Sequence, residues 1–168
     1  MQGTVKTLFV DERRRLEVVD WMIKHKANVN AVARDGTGHN ISALKCAANL
    51  GYSVICEILV KAGADVSWRS DRPATALIVV SLKASNEPAT WDVGWQAGAA
   101  EAAISERRDG SSTAATWDVK ALAITNLLLN AGADPAVVVH GHDALLFAKH
   151  NKLPMTAARL QQALASNA

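Results

Sequence analysis

Cysteine, aromatic residues and net charge are all scarce in this 168-residue chain, which has two Cys, one Tyr, two Phe and a formal net charge of +2. Cys46 and Cys56 form no Cys-x-x-Cys pair and have no ligand-type neighbours, so they read as small buried hydrophobes in a reducing, cytoplasmic setting. The small net charge gives no electrostatic case for nucleic acid, and the local basic run Arg13-Arg14-Arg15 with Lys24 and Lys26 reads as a solvated helix face. No apolar run approaches the ~18 residues needed to cross a bilayer; the longest is roughly Ala74 to Leu82, so membrane insertion is not expected. The first dozen residues lack the apolar stretch of a secretory signal and already contain Asp11 and Glu12. Phosphate-binding, nucleophile-elbow, zincin and kinase motifs are missing too. The expectation is a protein with no catalytic residues, no cofactor, no metal and no small-molecule substrate.

What is present is an ordinary globular composition, 49% apolar and 20% charged, long enough for one domain with a core. Its most regular stretch runs from Ser42 to Ser67. Ser42 is a good helix N-cap, and Leu44, Ala47 and Ala48 follow on one helical face until Gly51. A second helix begins near Ser53, carries Val54, Ile55, Ile58, Leu59 and Ala62, and closes at Gly63, where a left-handed cap suits glycine. Two helices of about two turns each are marginal alone in water, so this unit needs neighbours to stack on.

Copies of the pattern recur. Helix starts align at Ser42-Ala43-Leu44, Thr75-Ala76-Leu77 and Asp143-Ala144-Leu145; helix ends align at Lys26-Ala27-Asn28, Gly63-Ala64-Asp65 and Gly132-Ala133-Asp134. The chain thus resembles the ankyrin repeat family: Ser42 to Ala47 matches its Thr-Pro-Leu-His-x-Ala opening loosely, with alanine for proline and Lys45 for histidine, and Gly63-Ala64-Asp65 matches its ending. The resemblance implies an all-α fold, a short solenoid of about four helix-turn-helix repeats over residues 4–33, 34–66, 67–136 and 137–168, with an insertion at 85–119.

Within that scheme the first repeat is degenerate. Leu16, Val18, Val19, Trp21, Met22 and Ile23 form its second helix, with Phe9 and Trp21 covering the end of the core. The second repeat has a lengthened finger over 34–40. In the third, the helices are Thr75 to Lys83 and Lys120 to Asn130. The insertion between them holds Trp91, Trp95, Trp117, a duplicated Ala-Thr-Trp-Asp-Val and an alanine-rich segment, 95–107, expected to be helical. In the fourth, Asp143 caps a helix and Pro154 opens the last one, from which Met155, Leu160 and Leu164 face inward and Arg159, Gln161, Gln162 and Asn167 face water.

The family resemblance implies protein binding through fingertips and the concave face of first helices. Carried onto this chain, that selects Arg34, Asp35, His39, Trp68, Arg69, Asp71, Arg72, His140 and His142 at the tips, and Lys45, Asn49 and Lys149 on inner helices. His140 and His142 are the closest histidine pair and read as a solvated tip rather than a metal site. Trp91, Trp95 and Trp117 have two readings: a private core that orders the insertion, or a docking surface for a large assembly of which this chain is a structural subunit.

Overall fold

In the computed structural model, residues 12–34, 40–69, 74–82 and 114–167 are described. They form seven helices: α1 (Glu12–Lys24), α2 (Ala43–Leu50), α3 (Ser53–Lys61), α4 (Ala76–Leu82), α5 (Ala114–Asn130), α6 (Ala144–His150) and α7 (Pro154–Ser166). One short antiparallel ladder, β1 (Val32–Arg34) with β2 (Asn40–Ser42), precedes α2, pairing Val32 with Ser42 and Arg34 with Asn40. The architecture is therefore helical with a minor hairpin, as the all-α expectation requires.

Local chemistry fixes the helix ends, and it does so three times over. Ser42 Oγ accepts the Lys45 N–H at 3.2 Å, Thr75 Oγ1 accepts the Ile78 N–H at 3.4 Å and Asp143 Oδ1 accepts the Leu146 N–H at 2.7 Å. Each satisfies one N–H that the first turn would otherwise leave unpaired. The closing turns repeat as well. Lys26, Gly63 and Gly132 all have positive φ, at 60°, 87° and 89°. The N–H of the next residue then reaches back to Met22, Leu59 and Leu128 at 2.9–3.0 Å, the bond that closes a left-handed helix cap. Asp65 and Asp134 each accept an N–H from two residues on, Ser67 and Ala136, and Asn28 does the same for Asn30.

The helices pack in two layers. One is the row α2, α4, α6, and the other the row α1, α3, α5, α7, with α2 against α3, α4 against α5 and α6 against α7 joining them. The shared core draws on both rows, from Leu44 and Ala48 through Leu77, Ile78 and Val80 to Ile124, Leu128, Phe147, Leu153 and Leu160. Helix α4 is apolar all round and its residues Ala76 to Ser81 are all buried. Side-chain hydrogen bonds then lock neighbours in register: Asn30 accepts the Asp65 N–H at 2.8 Å and donates to the Gly63 carbonyl at 3.1 Å. Most such ties span 33 to 38 residues, Asn126 to Arg159 and Asp118 to Thr156 included. Asn151 is the exception, donating to the Ser81 carbonyl at 2.9 Å across 70 residues.

Several expectations change. Trp21 is 59% exposed rather than part of the core, because α1 has two apolar stripes and packs the other one, the partly buried Leu16, Val19 and Ile23, against the core. Met155 is 41% exposed, and Arg159 is half-buried with its Nε donating to Asn126 at 2.7 Å. Arg15 leaves the solvated charge run to lie over Tyr52, 4.8 Å from the ring centroid, and donates to its hydroxyl. Helix α5 starts six residues before Lys120, which draws Trp117 and Asp118 out of the insertion and into the core. The segment 4–11, most of the finger 35–39 and the helix expected over 95–107 lie outside the described residues.

Candidate functional site

Arg34 and the pair His140 and His142 stand on short hairpins that lead into the capped starts of α2 and α6. Arg34 ends β1 opposite Asn40 and is exposed. At the last finger, Val139 and His142 exchange backbone bonds of 2.8 and 3.0 Å around His140 (φ 51°) and Gly141 (φ 82°), a two-residue turn with both central residues left-handed. His142 donates from Nδ1 to the His140 carbonyl at 2.8 Å, and its ring stacks on Phe147 with centroids 5.5 Å apart. This side chain is braced by its own turn. Among the described residues no group of three metal-ligating side chains assembles around it.

The middle finger is built differently. Trp68 is half-buried, and the Lys45 ammonium lies over its ring at 6.0 Å from the centroid, within cation–π range. Arg69 beside it is exposed. The structure thus joins a residue expected at a tip to one expected on an inner helix, but Lys45 and Asn49 are only 4% and 8% exposed, so α2 does not present them on an open face. Helix α6 does keep an open face: Leu146 is 45% exposed, and Lys149 and His150, three and four residues on, are exposed beside it.

No protein-family model matches the chain, and no curated protein matches it in sequence.

Trp117 is not part of this surface. It is 8% exposed and sits over Gly51, where an added Cβ would fall 2.5 Å from Trp117 Cζ3. The large ring therefore fills the space above the α2–α3 turn and acts as packing. Its neighbour Asp118 is 2% exposed and receives the N–H groups of Met155 and Thr156 at 2.9 and 3.0 Å, with the Thr156 hydroxyl at 2.7 Å. A carboxylate from α5 caps the start of α7, where unpaired N–H groups and the helix dipole favour negative charge. The only signal for it in the sequence was a carboxylate next to a tryptophan. Asp35, His39, Asp71, Arg72, Trp91 and Trp95 lie outside the described residues.

Two other features have limited chemistry. Burial, reinforced by nearby Cys46 and offset slightly by a backbone hydrogen bond, pushes the Cys56 thiol up to about 12. A thiol held neutral in this way is a core residue, not a nucleophile. Cys46 is half-buried rather than buried. An open groove of about 430 Å³ runs between the Gly132–Pro135 turn and Arg159, Ala163 and Asn167 of the last helix. Its charged residues are already bonded within the fold, Arg159 to Asn126 and Asp134 to the Ala136 N–H.

Proposed function

We propose that this chain is a non-catalytic protein-binding module, an ankyrin-like stack of helix pairs that recognises a protein partner through its fingers and the open face of α6. The observation that carries this reading is the recurrence of one cap geometry at 42, 75 and 143 and one closing geometry at 26, 63 and 132. Repeated units of this kind place successive fingers along one edge, which is the geometry of an extended recognition surface. Arg34, Trp68, Arg69, His140, His142, Leu146 and Lys149 are the described residues that form it. Arginine and tryptophan are the types that dominate interface energetics, and His142 and Trp68 are held in place before any partner arrives.

The cytoplasm suits two free thiols, one of them deep in the core. No helix among the described residues is long and apolar enough to cross a membrane. A second reading, a structural subunit of a large assembly docked through the insertion, draws on Trp91 and Trp95, since Trp117 serves the core.

Affinity purification of the tagged chain, with proteins identified by mass spectrometry, separates these readings. A variant carrying Arg34→Glu, Arg69→Glu and His142→Ala is expected to lose its partners while keeping its melting temperature. Deleting residues 85–112 removes them instead if the chain is an assembly subunit. Identical sets of captured proteins from wild type and both variants refute binding through either surface.

A further inference from the structure

Helix α1 carries a second apolar stripe with nothing described against it. Val18, Trp21 and Met22 are 55%, 59% and 47% exposed, and exposed His25 continues the same i, i+3, i+4, i+7 face. The face is rigid. The His25 ring stacks on the Trp21 indole with centroids 4.0 Å apart and 27° between planes, and His25 Nδ1–H donates to the Trp21 carbonyl at 2.7 Å. Helices α3 and α5 in the same row each pack between two neighbours of that row, whereas among the described elements α1 packs chiefly against α3. A pre-ordered tryptophan between two aliphatic residues, at the end of a row of helices, is the make-up of an interface core rather than of a solvated end.

The charges along this stripe point to what covers it. Glu17, Asp20 and Lys24 line one flank, with Lys24 joined to Asp20 at 2.6 Å while its side chain remains 70% exposed. We propose that a second copy of the chain docks here, its α1 antiparallel to the first about a two-fold axis near Trp21. That arrangement sets Glu17 of each copy opposite Lys24 of the other and stacks the two apolar stripes. A parallel two-fold alignment instead puts this flank of the two copies on opposite sides of the seam, where Glu17 and Lys24 meet neither each other nor themselves. Four side chains a side bury roughly half of the ~800 Å² per partner found in standard interfaces, so the dimer is a weak, reversible one.

Sedimentation equilibrium of the full chain from about 5 to 500 µM tests this. The weight-average mass is expected to rise with concentration from 17.8 kDa towards twice that value. Trp21→Glu is expected to hold it at the monomer mass without lowering the melting temperature. Glu17→Lys and Lys24→Glu each weaken association, and the double variant Glu17→Lys/Lys24→Glu restores it, because the flank becomes self-complementary again. Wild-type chain that stays monomeric throughout overturns the proposal; if Trp21→Glu also lowers the melting temperature, the stripe is covered by the chain's own residues. Dimerisation that Trp21→Glu leaves intact, or that the double swap does not rescue, places the contact elsewhere and overturns it equally.

Discussion

Replacing Gly51 with alanine tests how α2, α3 and α5 are held together. Gly51 has φ +74°, and an added Cβ would fall 2.5 Å from Trp117 Cζ3 and 3.0 Å from its Cη2. Two separable costs follow. An alanine in left-handed backbone costs about 1–2 kcal/mol, and forcing a methyl group into a packed site costs about 1–3 kcal/mol. Gly63 supplies the control, because its φ is +87° but nothing lies within 4 Å of an added Cβ. Gly63→Ala therefore reports the backbone cost alone. In urea titrations followed by circular dichroism, Gly51→Ala is expected to exceed Gly63→Ala by about 1–3 kcal/mol, or roughly 2–12 °C in melting temperature. Combining Gly51→Ala with Trp117→Leu should recover most of that excess, since the clashing ring is gone. Equal losses for the two glycine variants, or strict additivity with Trp117→Leu, would refute the claim that Trp117 seats on the α2–α3 turn.

Asp118→Ala leaves the Met155 and Thr156 N–H groups without their acceptor and is expected to destabilise the fold by about 2–4 kcal/mol, with Asp118→Asn milder because one oxygen remains; urea midpoints check both. Lys26 holds φ 60° where the aligned turns have glycine, so Lys26→Gly relieves left-handed strain and is expected to stabilise by up to about 1 kcal/mol, read as a higher melting temperature. Cys56 is neutral in the fold, so at pH 8 iodoacetamide should label Cys46 first and reach Cys56 only on global unfolding; equal labelling rates would contradict its burial. By linkage, its raised folded value favours folding below the unfolded thiol's pH range near 9, and that contribution fades as pH rises towards about 12. A Cys56→Ala variant should show a flatter decline of stability over that window.

Helix ends were the most legible part of the chain. Ser42, Thr75 and Asp143 announce their caps because a short side-chain oxygen ahead of an apolar helix has a local partner, the N–H three residues on. The closing turns at 26, 63 and 132 are equally local. What stayed hidden depends on contacts distant in sequence. Periodicity alone cannot choose between the stripes Leu16/Val19/Ile23 and Val18/Trp21/Met22, since both have helical spacing and only α3 decides which is buried. Thr-Trp-Asp-Val is a weak helix former by propensity, yet Trp117 and Asp118 lie in α5, packed on Gly51 and bonded to the start of the last helix, 38 residues from Asp118. Lys45 and Asn49 belong to the expected inner helix, but their exposure is set by how much chain lies over α2, which helix spacing does not encode.

The bond between Asn151 and Ser81 closes 70 residues, twice the span of the ties elsewhere, yet it joins α4 to the helix beside it in the same row. Each doubling of a flexible loop adds only about 0.6 kcal/mol of closure entropy. A newly acquired stretch of chain at the α4–α5 junction is thus nearly invisible to folding thermodynamics, whereas one at the Gly51 turn would displace Trp117. Natural variation in length, with new recognition chemistry on it, can accumulate at that junction without renegotiating the core.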